Sequence, residues 1–262
     1  MKKILLNLFC FYSLFYSLPA IAVADISVIH DLKGDDDFND SDYYQIKDDP
    51  RLQYVNLLYF LHQEEALPKP AEAYNRQKHF GTWIVSHDAG CLNTRAQVLV
   101  RDSIKPVTYS SNGCTVASGD WNDPYSKKEF SSAKDIQIDH FVPLKNAYMT
   151  GAFEWEPKKR CLYANYLGNS FHLLAVSGVE NDRKGDGTPS TYVPPNSLYV
   201  CRYLKQWLEI KMIWSLRLTP KEVSGLKAKV EAASCPADQF VIPYSEISDQ
   251  RRYMETHADY CQ

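Results

Sequence analysis

Gln137-Ile138-Asp139-His140-Phe141-Val142-Pro143-Leu144 and, about forty residues on, Glu180-Asn181-Asp182-Arg183-Lys184-Gly185-Asp186 decide how this chain is read. Ile136-Gln137-Ile138-Asp139 alternates apolar and polar residues as a strand does, and Pro143 ends the pattern. His172-Leu173-Leu174-Ala175-Val176 is a second short apolar strand. Ser177-Gly178-Val179-Glu180 then matches a capping box, with Ser177 as N-cap and Glu180 at the third helical position. Asn181 falls in the first turns of that helix, Lys184 follows on the same face, and Gly185 suits the C-cap. The order over about 135–187 is therefore strand, excursion, strand, short helix. Asp139 and His140 point to opposite faces of an ideal strand, so the two share one site only where the strand bends, near Pro143.

These residue types suit phosphodiester hydrolysis. The reaction needs an activated water, and a neutral histidine can take its proton because its pKa lies near ambient pH. It also needs positive charge on the phosphoryl oxygens, which a divalent ion supplies. Asp139 and Asn181 are hard oxygen donors, the set that suits Mg²⁺, with Mn²⁺ or Ca²⁺ as substitutes, better than a structural Zn²⁺.

The same residues resemble a known family. Asp139-His140-x-Val142-Pro143-Leu144, Tyr163-Ala164-Asn165, His172 to Ser177, Asn181-x-x-Lys184-Gly185-Asp186 and Pro194-Pro195-Asn196 look like exported bacterial HNH endonucleases of the ββα-metal superfamily. Upstream, Asn93-Thr94-Arg95, Arg101-Asp102 and the Cys114 to Tyr125 stretch are similar to it, as is Cys201-x-Tyr203 with Trp207 and Lys211. The similarity covers roughly 80–222. It implies an α+β fold, a ββα-metal core inside a mainly helical, disulfide-bonded single domain. It implies His140 as general base and Asp139 and Asn181 as ligands of one metal ion. Either Asn169, in Leu167-Gly168-Asn169, or His172 fills the central position of the motif, and Asn181 stands where a standard motif ends in histidine. Arg95, Arg183 and Lys184 are the candidate substrate contacts. The activity implied is endonucleolytic cleavage of DNA, and of RNA as a second substrate, with little sequence preference. The rivals are a non-catalytic exported binding protein that keeps the fold, and a hydrolase of another phosphodiester such as a phospholipid.

The rest of the chain bounds this reading. Lys2 and Lys3, the apolar run Ile4 to Leu18 and Ala22-Val23-Ala24 read as a cleaved signal peptide over 1–24, too short for an anchor. A secreted or periplasmic bacterial protein is the expectation, a monomer with no membrane partner. Beyond the signal, Cys91, Cys114, Cys161, Cys201, Cys235 and Cys261 favour disulfides over metal ligation, because no two lie at C-x-x-C spacing. Pairing neighbours in sequence (91–114, 161–201, 235–261) is the simplest of the 15 connectivities that six cysteines allow.

The net charge of −3 excludes a globally basic nucleic-acid binder. Residues 25–49 carry nine aspartates against two lysines, so the acid is concentrated ahead of a body near +2. That acidic segment, 25–50, reads as poorly ordered, and its Asp35 to Asp42 stretch lacks the Gly and Glu of an EF-hand loop. Residues 51–262 read as the nuclease domain, opening with an amphipathic helix over 51–66. Lys158-Lys159-Arg160 reads as a solvated face or a nucleic-acid patch. Trp155, Trp207 and Trp214 read as core. Leu198 to Leu218 predicts a helix, Thr219-Pro220-Lys221-Glu222 restarts one, and the last thirty residues show little pattern.

Overall fold

The structure, a computed structural model, describes residues 68–85, 89–240 and 242–261. All of them fall in one unit, 46–262. The expected signal peptide, acidic segment and 51–66 helix lie outside the described residues.

The helices are α1 (Arg76–Phe80), α2 (Thr94–Asp102), α3 (Leu144–Met149), α4 (Pro157–Ala164), α5 (Gly178–Lys184), α6 (Val200–Ile213), α7 (Pro220–Ala232) and α8 (Tyr244–Thr256). The strands are β1 (Thr108–Tyr109), β2 (Val116–Asn122), β3 (Glu129–Ser132), β4 (Ile136–His140) and β5 (Leu173–Ser177). They form an antiparallel sheet β1-β2-β3 and an antiparallel pair β4-β5. The fold is α+β with three disulfides. Among the described residues no helix is long and apolar enough to cross a membrane.

The β4-β5 pair runs in unbroken register from Ile136 opposite Ser177 to His140 opposite Leu173. Alternation then sorts its faces. Ile136, Ile138, Leu173 and Ala175 enter one apolar cluster with Val98, Leu99 and Trp121. Val176 and Leu174 turn to the larger cluster built on α6, where Trp207, Trp214 and Tyr203 are fully buried. Trp155 packs against that cluster, so all three tryptophans are core.

A two-stranded pair leaves unpaired edge groups, and α2 covers them. Asp102 accepts the Ala175 N–H at 3.0 Å, Arg101 donates to the Leu173 carbonyl at 2.5 Å, and Arg95 donates to the Ile136 carbonyl at 2.8 Å. One helix thereby grips both strands.

Several expectations are corrected. The three-stranded sheet lies in a stretch, 80–135, whose sequence signals are mixed and rich in turn residues, because Ser118, Gly119 and Asp120 carry little strand propensity. Burial of Trp121 and the Cys91–Cys114 bridge hold it instead. The C-terminal region contains α8, whose Ile247 and Tyr253 pack on the core. Cys161 bonds Cys261 and Cys201 bonds Cys235, so only the first neighbour pairing is realised. Helix α6 brings Cys201 beside the end of α7, a proximity that sequence distance does not encode.

Candidate functional site

His140 ends β4, and the chain must turn at Pro143, which cannot donate to a ladder. The ring meets the C-terminal end of α4, whose last carbonyls have no helical partners. His140 Nε2 donates to the Ala164 carbonyl at 2.9 Å. A carbonyl only accepts, so that nitrogen carries the hydrogen and Nδ1 carries the lone pair. Burial pulls the His140 pKa down to about 3, against the opposing pull of the Ala164 hydrogen bond, so the ring is neutral at physiological pH.

His172 repeats the arrangement one residue earlier on α4. Its Nε2 donates to the Tyr163 carbonyl at 2.7 Å, and burial lowers its pKa to about 3 as well. Its surroundings differ. Tyr163, Tyr166 and Trp214 enclose the ring, and Nδ1 is sealed without a partner. His172 is 1% exposed against 8% for His140. Of the two, His140 keeps access to solvent.

Trp83 lies parallel to His140, with ring centroids 5.1 Å apart and planes 2° apart. Asn165, the residue after Ala164, fixes this indole. Its Oδ1 accepts the Ile84 N–H at 3.1 Å and its Nδ2 donates to the Thr82 carbonyl at 3.2 Å. Thr94 Oγ1 completes the clamp at 2.7 Å from Asn165 Oδ1. Neighbouring residues of one helix end therefore hold the histidine and both flanks of the tryptophan. The sequence reading missed Trp83. Its one signal was Gly81-Thr82-Trp83 shortly before Asn93-Thr94-Arg95.

Asp139 points the other way, as strand alternation requires where no bulge intervenes. Lys184 Nζ donates to its Oδ1 at 2.7 Å and to the His140 backbone carbonyl at 3.1 Å. Tyr125 donates its hydroxyl hydrogen to Oδ2 at 2.6 Å. Burial pushes Asp139 up and Lys184 down, and their mutual attraction opposes both shifts. The strand does not bend to bring Asp139 and His140 to one face.

Helix α5 starts at Ser177 without the expected capping box, since the Ser177 side chain makes no cap hydrogen bond. Glu180 instead pairs with Arg183 at 2.5 Å and accepts from Tyr192 at 3.4 Å. Gly185 does close the helix, at φ 52°, with its N–H on the Asn181 carbonyl. Asn181 donates from Nδ2 to Gln137 at 2.7 Å.

Both Asp139 oxygens are engaged, and a buried ammonium already neutralises the carboxylate. Among the described residues no three His, Cys, Asp or Glu side chains converge as metal ligands.

The remaining candidates are placed as follows. Asn169 accepts the N–H groups of Phe171 and His172 and donates to Gln250, so it shapes the turn before β5. Arg95 is spent on the Ala133 and Ile136 carbonyls. Arg183 stays 60% exposed beside Glu180. Arg160 anchors the His79 carbonyl at 3.0 Å, which removes it from the basic-patch reading, and Lys159 lies over Trp155.

Residues 94–222 match the family described as GmrSD restriction endonucleases, C-terminal domain. An uncharacterized secreted protein of Arthroderma benhamiae is 38% identical over 157 residues, covering 60% of this chain and 74% of that protein. That relative is fungal, so the comparison does not bear out the expected bacterial origin. No solved structure matches the chain. The helix that grips both strands, the β4-β5 pair, α5 and the capped start of α7 all fall within the matched residues, and the chain belongs to one family with that secreted protein, its residues 94–222 being similar to the GmrSD C-terminal domain.

Proposed function

We propose that the protein is a secreted nuclease of HNH type that hydrolyses phosphodiester bonds of DNA, and of RNA as a second substrate, with little sequence preference. The observation that carries this reading is the Nε2 hydrogen bond of His140 to the Ala164 carbonyl. It reserves Nδ1 as a base on a neutral ring that keeps some access to solvent. His140 would take a proton from water as the water oxygen bonds to phosphorus and the P–O3′ bond breaks, the leaving oxygen being protonated from solvent. The family name and the secreted relative support the reaction class and the extracellular setting. Three disulfides suit an oxidising compartment.

One observation favours the non-catalytic alternative. Lys184 closes Asp139, the residue that the resemblance assigns to the metal. The deciding experiment incubates purified protein with plasmid DNA and with RNA, in parallel with His140→Ala. Turnover at least ~10²-fold lower in the folded variant is expected for loss of a general base. Equal cleavage by both proteins removes His140 from the mechanism, and no cleavage by either supports the binding protein. An EDTA arm treats the metal separately. The resemblance implies activity lost to EDTA and restored by Mg²⁺, whereas the Asp139–Lys184 pair implies activity that survives it.

A further inference from the structure

Around His140 most cations are already spent. Lys184 neutralises Asp139, Arg95 holds two backbone carbonyls, Arg101 pairs with Asp102, Arg183 pairs with Glu180, and Lys145 pairs with Asp186. Arg76 differs. It is exposed, and among the described residues its guanidinium has no carboxylate or carbonyl partner. It lies 5.9 Å from the centroid of the Trp83 ring, within cation–π reach. The same indole is stacked on His140, with ring centroids 5.1 Å apart. Guanidinium and imidazole thus share Trp83 as a common neighbour, and the guanidinium is the exposed one of the two.

The segment that carries Arg76 and Trp83 is anchored along its length. Asn75 caps α1 by accepting the Lys78 N–H at 2.9 Å, and Phe80 at the end of the same helix is buried in the core. Arg160 fixes the His79 carbonyl, and Asn165 clamps both flanks of Trp83. A guanidinium placed over an aromatic face leaves its in-plane N–H donors free, the geometry that binds phosphate oxygens bidentately. Residues 76–83 also precede Thr94, where the family match begins.

We infer that Arg76 takes a backbone phosphate of the nucleic-acid substrate beside His140, and that Trp83 is the positioning residue that holds it there. The segment ahead of the family-matched residues therefore completes the substrate site. This inference rests on the nuclease reading and adds its phosphate contact.

The test measures equilibrium binding of a labelled DNA duplex by fluorescence anisotropy across a salt series, using the full mature chain with His140→Ala so that the duplex survives. One phosphate contact contributes about 0.9 to the slope of log K against log salt on duplex DNA. Arg76→Gln should lower the slope by about 0.9, by the same amount on unrelated sequences, and Arg76→Lys should restore it. Trp83→Ala should lose as much as Arg76→Gln, the double variant should lose no more than either alone, and Trp83→Phe should recover most of the binding. An unchanged slope in Arg76→Gln, which is exposed and leaves the core intact, overturns the inference. Additive losses in the double variant overturn the role of Trp83. A chain that binds no DNA overturns both the inference and the nuclease reading. Cleavage by His140→Ala at the wild-type rate would sink the catalytic reading while leaving the slope result standing.

Discussion

His140 and His172 sit at facing strand ends and use the same device, a ring N–H on an orphan carbonyl of α4. Access to solvent is what separates them. His172 is neutral in the fold, with a pKa near 3 against an ordinary 6.5. The unfolded chain takes up the proton between those values, so this stabilisation is complete above pH 6.5 and lost as pH falls toward 3. The slope is about 1.4 kcal/mol per pH unit for one group. Denaturant titrations of wild type and His172→Gln between pH 6.5 and 4 should differ in slope by about that amount; parallel curves would refute the assignment. Lys184 and Asp139 form a buried pair, with 0% and 4% of their side-chain surface exposed. Removing one partner leaves a buried charge, so Lys184→Met should cost about 3–5 kcal/mol in chemical denaturation. A loss under about 1 kcal/mol would show that the pair is hydrated in solution.

At the scale of elements, α7 shows a local signal fully realised. Thr219 accepts the Glu222 N–H at 3.1 Å and Glu222 accepts the Thr219 N–H at 2.8 Å. Thr219→Ala should cost about 1 kcal/mol, read as a lowered unfolding midpoint. Glu222 also receives Asn146 Nδ2 at 3.0 Å and Lys211 Nζ at 3.1 Å, so the cap is tied to a buried polar network. Within the same helix, propensity and packing disagree at Gly225. Alanine would gain about 1 kcal/mol as a better helix former. Its Cβ, however, would lie 2.5 Å from Ser190 Cα, and backbone cannot yield cheaply. Gly225→Ala should therefore destabilise by about 1–3 kcal/mol, and a higher melting temperature would show that the 188–191 turn gives way. Helix α5 is the reverse case. Its capping-box signature was legible, but Glu180 is drawn to Arg183 and Tyr192 instead.

For the whole molecule the disulfides carry the clearest consequence. Cys161–Cys261 spans 100 residues and ties the chain end to α4, the helix that holds both histidines. In the chain-entropy account a loop of that size is worth about 4.7 kcal/mol, more than the 34-residue loop of Cys201–Cys235. Replacing Cys161 and Cys261 together by alanine should thus cost the most stability of the three pairs, and peptide mapping of unreduced protein should recover 161–261 and 201–235. Recovery of 161–201 would contradict the fold. The succession of strand, strand and helix over 135–187 was visible beforehand, because it rests on periodicity and turn residues within a few positions of each other, whereas the α+β class was implied by the family resemblance. The β1-β2-β3 sheet was not, since its strands are polar and are held by distant partners such as Leu99, whose carbonyl accepts from Trp121.

By itself the sequence determined the local grammar: where β4 and β5 run, where α7 starts, that Gly185 ends α5, and that His140 and Asp139 are the residues to watch. Those features depend on neighbours along the chain, where propensity, capping and alternation act. Only the tertiary structure decided which groups share an environment. It set Asp139 against Lys184 and Tyr125 rather than beside His140, because an unbroken register keeps adjacent residues on opposite faces. It sealed His172, spent Arg95 on carbonyls, and carried Trp83 and Arg76 across from a segment about sixty residues upstream of His140. Such choices turn on burial, and burial is a property of the assembled chain: which nitrogen keeps its lone pair and which cation keeps its donors free is settled when distant elements meet.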